Sequence, residues 1–166
     1  SNLKLASGIA PIAECAQQGI NIGLGTDGAA SNNRLDMFAE IRLAALLAKG
    51  VSGDASVISA HQALEMATIN GAKALGLEHK IGSIEVGKQA DLIAVRMNDL
   101  VMQPCFDPVS HLVYVASREC VSHVWVSGDL KYYKPDNRNA GVYSNIEPQQ
   151  LTEIVNKWQT KLNTFN

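Results

Sequence analysis

Asp27 closes a short apolar run, Ile20-Asn21-Ile22-Gly23-Leu24-Gly25-Thr26-Asp27-Gly28, that stops on a Thr-Asp-Gly turn. A carboxylate held at the carboxyl end of a buried strand and followed by a glycine turn is where barrel enzymes place a metal ligand or a general base. The same run spells G-x-G-x-x-G, so a dinucleotide site is the first alternative. That site needs a helix opening inside the motif and an acidic residue ending the next strand about 20 residues on. Here the helical pattern starts only near Leu35, and the downstream position falls inside a helix. The dinucleotide reading therefore fails. No His-x-His, Cys-x-x-Cys or His-Glu-x-x-His occurs in the sequence, and His61, His79, His111 and His123 show no metal-ligand spacing. They read as structural or surface histidines, so Asp27 is one corner of a constellation.

The elements that would position Asp27 follow from periodicity. Ile9, Ile12, Ala13 and Ala16 recur at helical spacing between Gly8 and Gln18, with Pro11 early and Gly19 as a stop. A strand from Ile20 to Gly25 follows directly, which is the αβ step of a parallel α/β architecture. Asn33, with Asp36 three residues on, is the expected cap of a helix from Leu35 to Lys49-Gly50. Ser59 caps a helical stretch from Ala60 to Leu75, broken near Asn70-Gly71 and closed by Gly76.

At Gly82 the period changes. Ser83-Ile84-Glu85-Val86 and Ala90–Arg96 read as strands, and Val121–Val126 returns through Ser127-Gly128-Asp129 into Leu130–Tyr133 as a hairpin. Asp107-Pro108 opens a short helix to about Ala116. Leu151, Ile154, Val155, Trp158 and Leu162 give the tail from Glu147-Pro148 one apolar face, that of a docking helix. Asp91 is expected to anchor a turn, and Trp125 and Trp158 to serve packing. The division is 1–81, a barrel segment, and 82–166, a β-rich unit with a closing helix.

At 46% hydrophobic and 18% charged, the chain has the composition of a folded domain. Its net charge of −2 is spread without a basic block, which argues against nucleic acid or an anionic membrane as partner. No apolar run reaches the roughly 18 to 20 residues of a membrane span. Three widely spaced cysteines, Cys15, Cys105 and Cys120, suit reduced thiols in a cytoplasmic protein. The opening Ser1-Asn2-Leu3-Lys4-Leu5 has no initiator Met and enters a structured pattern at once, as if cut from a longer polypeptide.

Four stretches carry a family resemblance: Ser1–Gly8 (SNLKLASG), Gly25–Asn33 (GTDGAASNN), Gly82–Ile93 (GSIEVGKQADLI) and Asp107–Tyr114 (DPVSHLVY). Together they resemble the amidohydrolase superfamily, in the branch of 5′-methylthioadenosine/S-adenosylhomocysteine deaminases and triazine chlorohydrolases. The resemblance implies the C-terminal part of a TIM-like (β/α)₈ barrel, followed by strands of a small β-sandwich and a C-terminal helix. Ser1–Gly8 would follow barrel strand seven, with Ser1 and Asn2 at its mouth, and Asp27 would end strand eight. In such enzymes a His-x-His, two further histidines and the strand-eight Asp hold the metal, zinc or another divalent ion, and a Glu moves protons at the purine ring.

Of these positions only the Asp has a counterpart here. What the resemblance implies is therefore a portion of an aminohydrolase acting on an adenine nucleoside, in which metal-activated water attacks C6 and ammonia leaves. Asp27 would bind the metal and accept the proton of the attacking water, and Ser31 and Asn32 would contact substrate at the pocket mouth. The 166-residue chain by itself is expected to be inactive and to lack the metal, with the missing N-terminal part of the same polypeptide as its partner. Self-association is a further expectation. The alternatives are a chlorotriazine or guanine hydrolase on the same scaffold, or a non-catalytic structural piece.

Overall fold

A computed structural model describes residues 2–135 and 141–164; Ser1 lies outside the described residues. In chain order the helices are α1 (Ile12–Gln17), α2 (Met37–Ser52), α3 (Ala60–Met66), α4 (Ile69–Ala74), α5 (Pro108–Tyr114) and α6 (Pro148–Asn163). The strands are β1 (Leu92–Val95), β2 (Val121–Val126), β3 (Asp129–Tyr133) and β4 (Val142–Tyr143), joined as one antiparallel sheet in the order β1-β2-β3-β4.

The helix starts depend on side-chain oxygens that satisfy backbone N–H groups left over in the first turn. Ser59 caps α3 as expected and does so through a capping box, its hydroxyl accepting from Gln62 N while Gln62 accepts from Ser59 N at 2.8 Å. The cap of α2 differs from expectation, being Asp36 rather than Asn33. The amide oxygen of Asn32 takes the Leu35 N–H, Leu35 turns the chain at φ 48°, and Asp36 accepts from Phe38 N and Ala39 N. The helix also runs past Lys49-Gly50 to Ser52, because Gly53, at φ 68°, supplies the left-handed residue that stops it. The break expected at Asn70-Gly71 falls at Thr68, whose hydroxyl turns back onto Leu64 O at 2.7 Å. The first helix is confined to the residues after Pro11.

Two expected strands are not strands. Ile20 to Gly25 is extended but belongs to no ladder, since a parallel strand takes its hydrogen bonds from neighbours on its edges and none stands there among the described residues. The segment leans on α3 and α4 instead: Leu24 N donates to Met66 O at 2.8 Å and the Asn21 amide to Asn70 O at 2.9 Å. A Cβ on Gly23 would lie 3.1 Å from Gly71 Cα, so two glycines let the backbones approach. Ser83 to Val86 is irregular and leads into a turn at Val86-Gly87, with Ile84 and Val86 exposed and Lys88 paired to Glu85 at 3.1 Å.

One buried cluster joins Ile41, Ala45 and Ala48 of α2 with Ile58, Ala63, Met66 and Val113, and Ile22 and Leu24 pack on it. A second joins Phe38, Met102, Ala116 and Cys120, flanked by Val95 and Val121 of the sheet. Helix α2 feeds both clusters, and α5 packs on α2 and α3 from beyond Gly82. Arg42 adds a 2.6 Å hydrogen bond to Ala116 O and Arg34 a 3.0 Å ion pair to Glu119. The tail helix forms as expected, but its apolar face does not dock: Leu151, Ile154, Val155, Trp158 and Leu162 are all exposed among the described residues, Trp158 to 59%. No described helix is long and apolar enough to cross a membrane.

Candidate active site

Where the extended segment ends, Asp27 adopts φ 59°, a left-handed conformation that Asp tolerates better than most side chains. The turn this creates points both carboxylate oxygens at donors of the following loop. Gly28 N donates to Oδ1 at 2.7 Å and the Ser31 hydroxyl to Oδ2 at 2.6 Å, which fixes the plane of the group while leaving it exposed. The Ser31 hydroxyl first, and the Gly28 amide second, hold the Asp27 carboxyl below the usual carboxylate range. At neutral pH it is an ionised oxygen donor.

The loop 28–35 is tied down by its own side chains. Ser31 is buried, its hydroxyl between Asp27 and Gly28 O at 3.0 Å. Asn32 donates to Glu40 Oε1 of α2 at 2.8 Å, and Asn33 to Ala29 O at 3.2 Å. Of the two residues expected at a pocket mouth, Ser31 contacts Asp27 and Asn32 turns to Glu40, so the polar groups of both are engaged within the chain. Lys4 is the residue that sequence reasoning missed. Its ammonium donates to Ala30 O at 2.8 Å and Asn33 Oδ1 at 2.6 Å, joining the N-terminal stretch to the Asp27 loop. A separation of 26 residues leaves no periodic signal from which such a pair could be found.

The other candidates disperse. His123 stacks on Trp125 at 5.2 Å between centroids, His79 lies 3.8 Å from Glu78 and His111 borders Asp107 O at 3.2 Å. Asp91 anchors a turn, accepting from Ser127 N at 2.6 Å. The three cysteines are free thiols. Among the described residues no group of three or more His, Cys, Asp or Glu side chains could hold a metal ion. Zinc takes three or four protein ligands, so Asp27 fits as one donor of a site and does not make one alone. A cleft of about 270 Å³ lies between the N-terminal stretch and α2, lined by Leu3, Ile9, Ile22, Leu24 and Leu43, with Asn2 and Glu40 as its polar members. It excludes Asp27 and has the character of a packing surface.

An aspartate set in a glycine turn, followed by a long helix and an antiparallel sheet, is the frame in which the family enters: residues 1–131 match the amidohydrolase family, and the chain belongs to it. Among its relatives is a 5-methylthioadenosine/S-adenosylhomocysteine deaminase of Teredinibacter turnerae, 64% identical over 162 residues, which cover 98% of this chain and 35% of that protein. A crystal structure of an adenosine deaminase from Xanthomonas campestris with bound zinc is 42% identical at a TM-score of 0.90, covering 98% of this chain and 36% of that one. Atrazine chlorohydrolase from Arthrobacter aurescens, complexed with zinc, is 28% identical at a TM-score of 0.79, covering 94% of this chain and 33% of that one. The chain therefore spans about a third of the length of these relatives.

Proposed function

We propose that this chain is the C-terminal portion of a metal-dependent aminohydrolase that deaminates an adenine nucleoside of the methylthioadenosine or adenosylhomocysteine type. In this reading, residues 1–81 end a (β/α)₈ barrel and residues 82–166 contribute strands of a flanking β-sandwich with a closing helix. The observation that carries it is Asp27: an ionised carboxylate at an extended-segment end, oriented by two hydrogen bonds, in a chain 64% identical to such a deaminase. The remaining metal ligands and the proton-transferring Glu belong to the rest of the polypeptide, which is this chain's obligatory partner.

Zinc, when bound, would supply a Lewis acid and a water of lowered pKa. Asp27 would give that ion one oxygen ligand, and its carboxylate, kept ionised by Ser31 and Gly28, would take a proton from the attacking water. Ser31 and Asn32 would meet the substrate at the rim, with Ser31 also fixing the plane of the carboxylate. A second reading, a chlorotriazine hydrolase, is supported by the likeness to atrazine chlorohydrolase over 94% of the chain. Both need an activated water at a ring carbon and differ in the leaving group.

The full-length polypeptide bearing this chain, loaded with zinc, separates the readings. Loss of absorbance at the adenine band with methylthioadenosine and adenosylhomocysteine is expected. Chloride release from a chlorotriazine without nucleoside turnover would replace the first reading with the second.

A further inference from the structure

We infer that Lys4 is a positioning residue for the metal-ligand carboxylate, acting through the loop that carries Ser31; the inference rests on the metal-dependent reading above. The Asp27 carboxylate is held by two donors, and both, Gly28 N and Ser31 Oγ, belong to residues that follow it in the chain. Their placement depends on loop 28–33. Within that loop Ser31 N and Asn32 N both turn back to Gly28 O, at 3.1 and 2.9 Å, which shapes one turn without fixing where the turn sits.

Two outside tethers do that. Asn32 reaches Glu40 on α2, and Lys4 reaches Ala30 O and Asn33 Oδ1 from the stretch that precedes α1. The two Lys4 acceptors flank Ser31, so the ammonium spans the residue that orients Asp27. The Asn33 side chain is in turn held to Ala29 O, so one cation organises both ends of a short polar loop. A carboxylate bound to a metal depends on such outer contacts for its orientation, and their removal typically lowers metal affinity by about 10- to 100-fold. Lys4 supplies them from the stretch that precedes α1 to a carboxylate at the end of the segment Ile20–Gly28.

The test uses the full-length zinc enzyme and reads zinc affinity by chelator competition, amide hydrogen exchange and steady-state kinetics. Lys4→Met is expected to weaken zinc about tenfold, to speed exchange at Ala30–Asn33, and to lower kcat with KM little changed. Lys4→Arg, which keeps a cationic donor, is expected to restore most of the loss. Asn33→Ala, which removes one of the two acceptors, should lie between wild type and Lys4→Met and serves if the latter folds poorly.

Wild-type zinc affinity and exchange in Lys4→Met, with Asp27→Asn still impairing zinc binding, would overturn the role given to Lys4 and leave the metal site intact. Zinc binding that is unaffected by Asp27→Asn would overturn both. Failure of Lys4→Arg to recover any affinity would also overturn it, since the role requires only a donor that reaches both oxygens.

Discussion

The hairpin β2–β3 and the segment Ile20–Gly28 are both short extended runs, yet one completes itself and the other does not. In the hairpin Ser127 and Gly128 take φ 52° and 85°, the paired left-handed residues of a tight turn, and the strands on either side exchange hydrogen bonds. Asp91, just ahead of β1, pins the turn. Ile20–Gly28 finds no strand on either edge among the described residues and rests on helices through Leu24 and Asn21. Local partners thus finish the sheet, while the segment bearing the candidate ligand depends on elements distant in sequence. The candidate ligand sits on the element that is least complete here.

The largest test of that contrast is activity. The 166-residue chain alone, with zinc added, is expected to show no turnover of methylthioadenosine, because a single donor holds no ion. Turnover that tracks the purified chain and vanishes in Asp27→Asn would break the contrast. In the full-length polypeptide, Asp27→Asn is expected to lower kcat by about 10² to 10⁴, as for loss of a positioned base, with KM changing much less.

On the self-completing side, Met102→Ala in the cluster under the sheet should destabilise the protein by about 2 to 5 kcal/mol in denaturant unfolding, since the side chain is fully buried. A loss below about 1 kcal/mol would mean the site collapses freely. On the dependent side, Gly23→Ala would place a methyl 3.1 Å from Gly71 Cα, and a loss of about 1 to 3 kcal/mol is expected from overpacking. An unchanged midpoint would show that the segment is not held against α4.

The smallest effect is electrostatic. The Ser117 hydroxyl first and Glu119's own backbone N–H second, with smaller help from Arg118 and Arg34, hold Glu119 down, from 4.5 to about 2. A carboxyl depressed in the folded state contributes stability that is full above its unfolded value of 4.5 and is lost as pH falls toward 2. Glu119→Gln should therefore flatten the fall of Tm across that window and differ from the wild type by a constant offset above it. Because the pair with Arg34 is largely exposed, the difference should shrink in high salt.

Much of this was legible in the sequence where one residue type settles a local question. The cap at Ser59, the Ser127-Gly128 turn and Pro108 opening a helix each rest on a few adjacent atoms or on one strong backbone preference, and the turn role expected of Asp91 holds although the turn it anchors lies 36 residues on. The misplaced features share a different cause. Asn33 looked a sufficient cap, but Asn32 bends the chain first and hands the role to Asp36. The strands expected at Ile20–Gly25 and Ser83–Val86 need edge partners that periodicity does not report. At the candidate site, Asp27 and its loop could be picked out from the turn they form. Lys4 could not, because nothing local ties a lysine to carbonyls 26 residues away.

The approach of Gly23 to Gly71 also acts as a ruler. Asp27 stands four residues beyond Gly23, so where the glycines meet fixes how far the chain has travelled when it reaches the carboxylate. A slip of one residue along an extended chain moves every following atom by about 3.3 Å and turns its side chains to the opposite face. A metal–oxygen bond tolerates an error of about 0.2 Å. Two facing glycines, with no functional group between them, thereby set the positional tolerance of the candidate ligand, and an insertion anywhere between Gly23 and Asp27 would misplace that carboxylate while leaving every helix and the sheet in register.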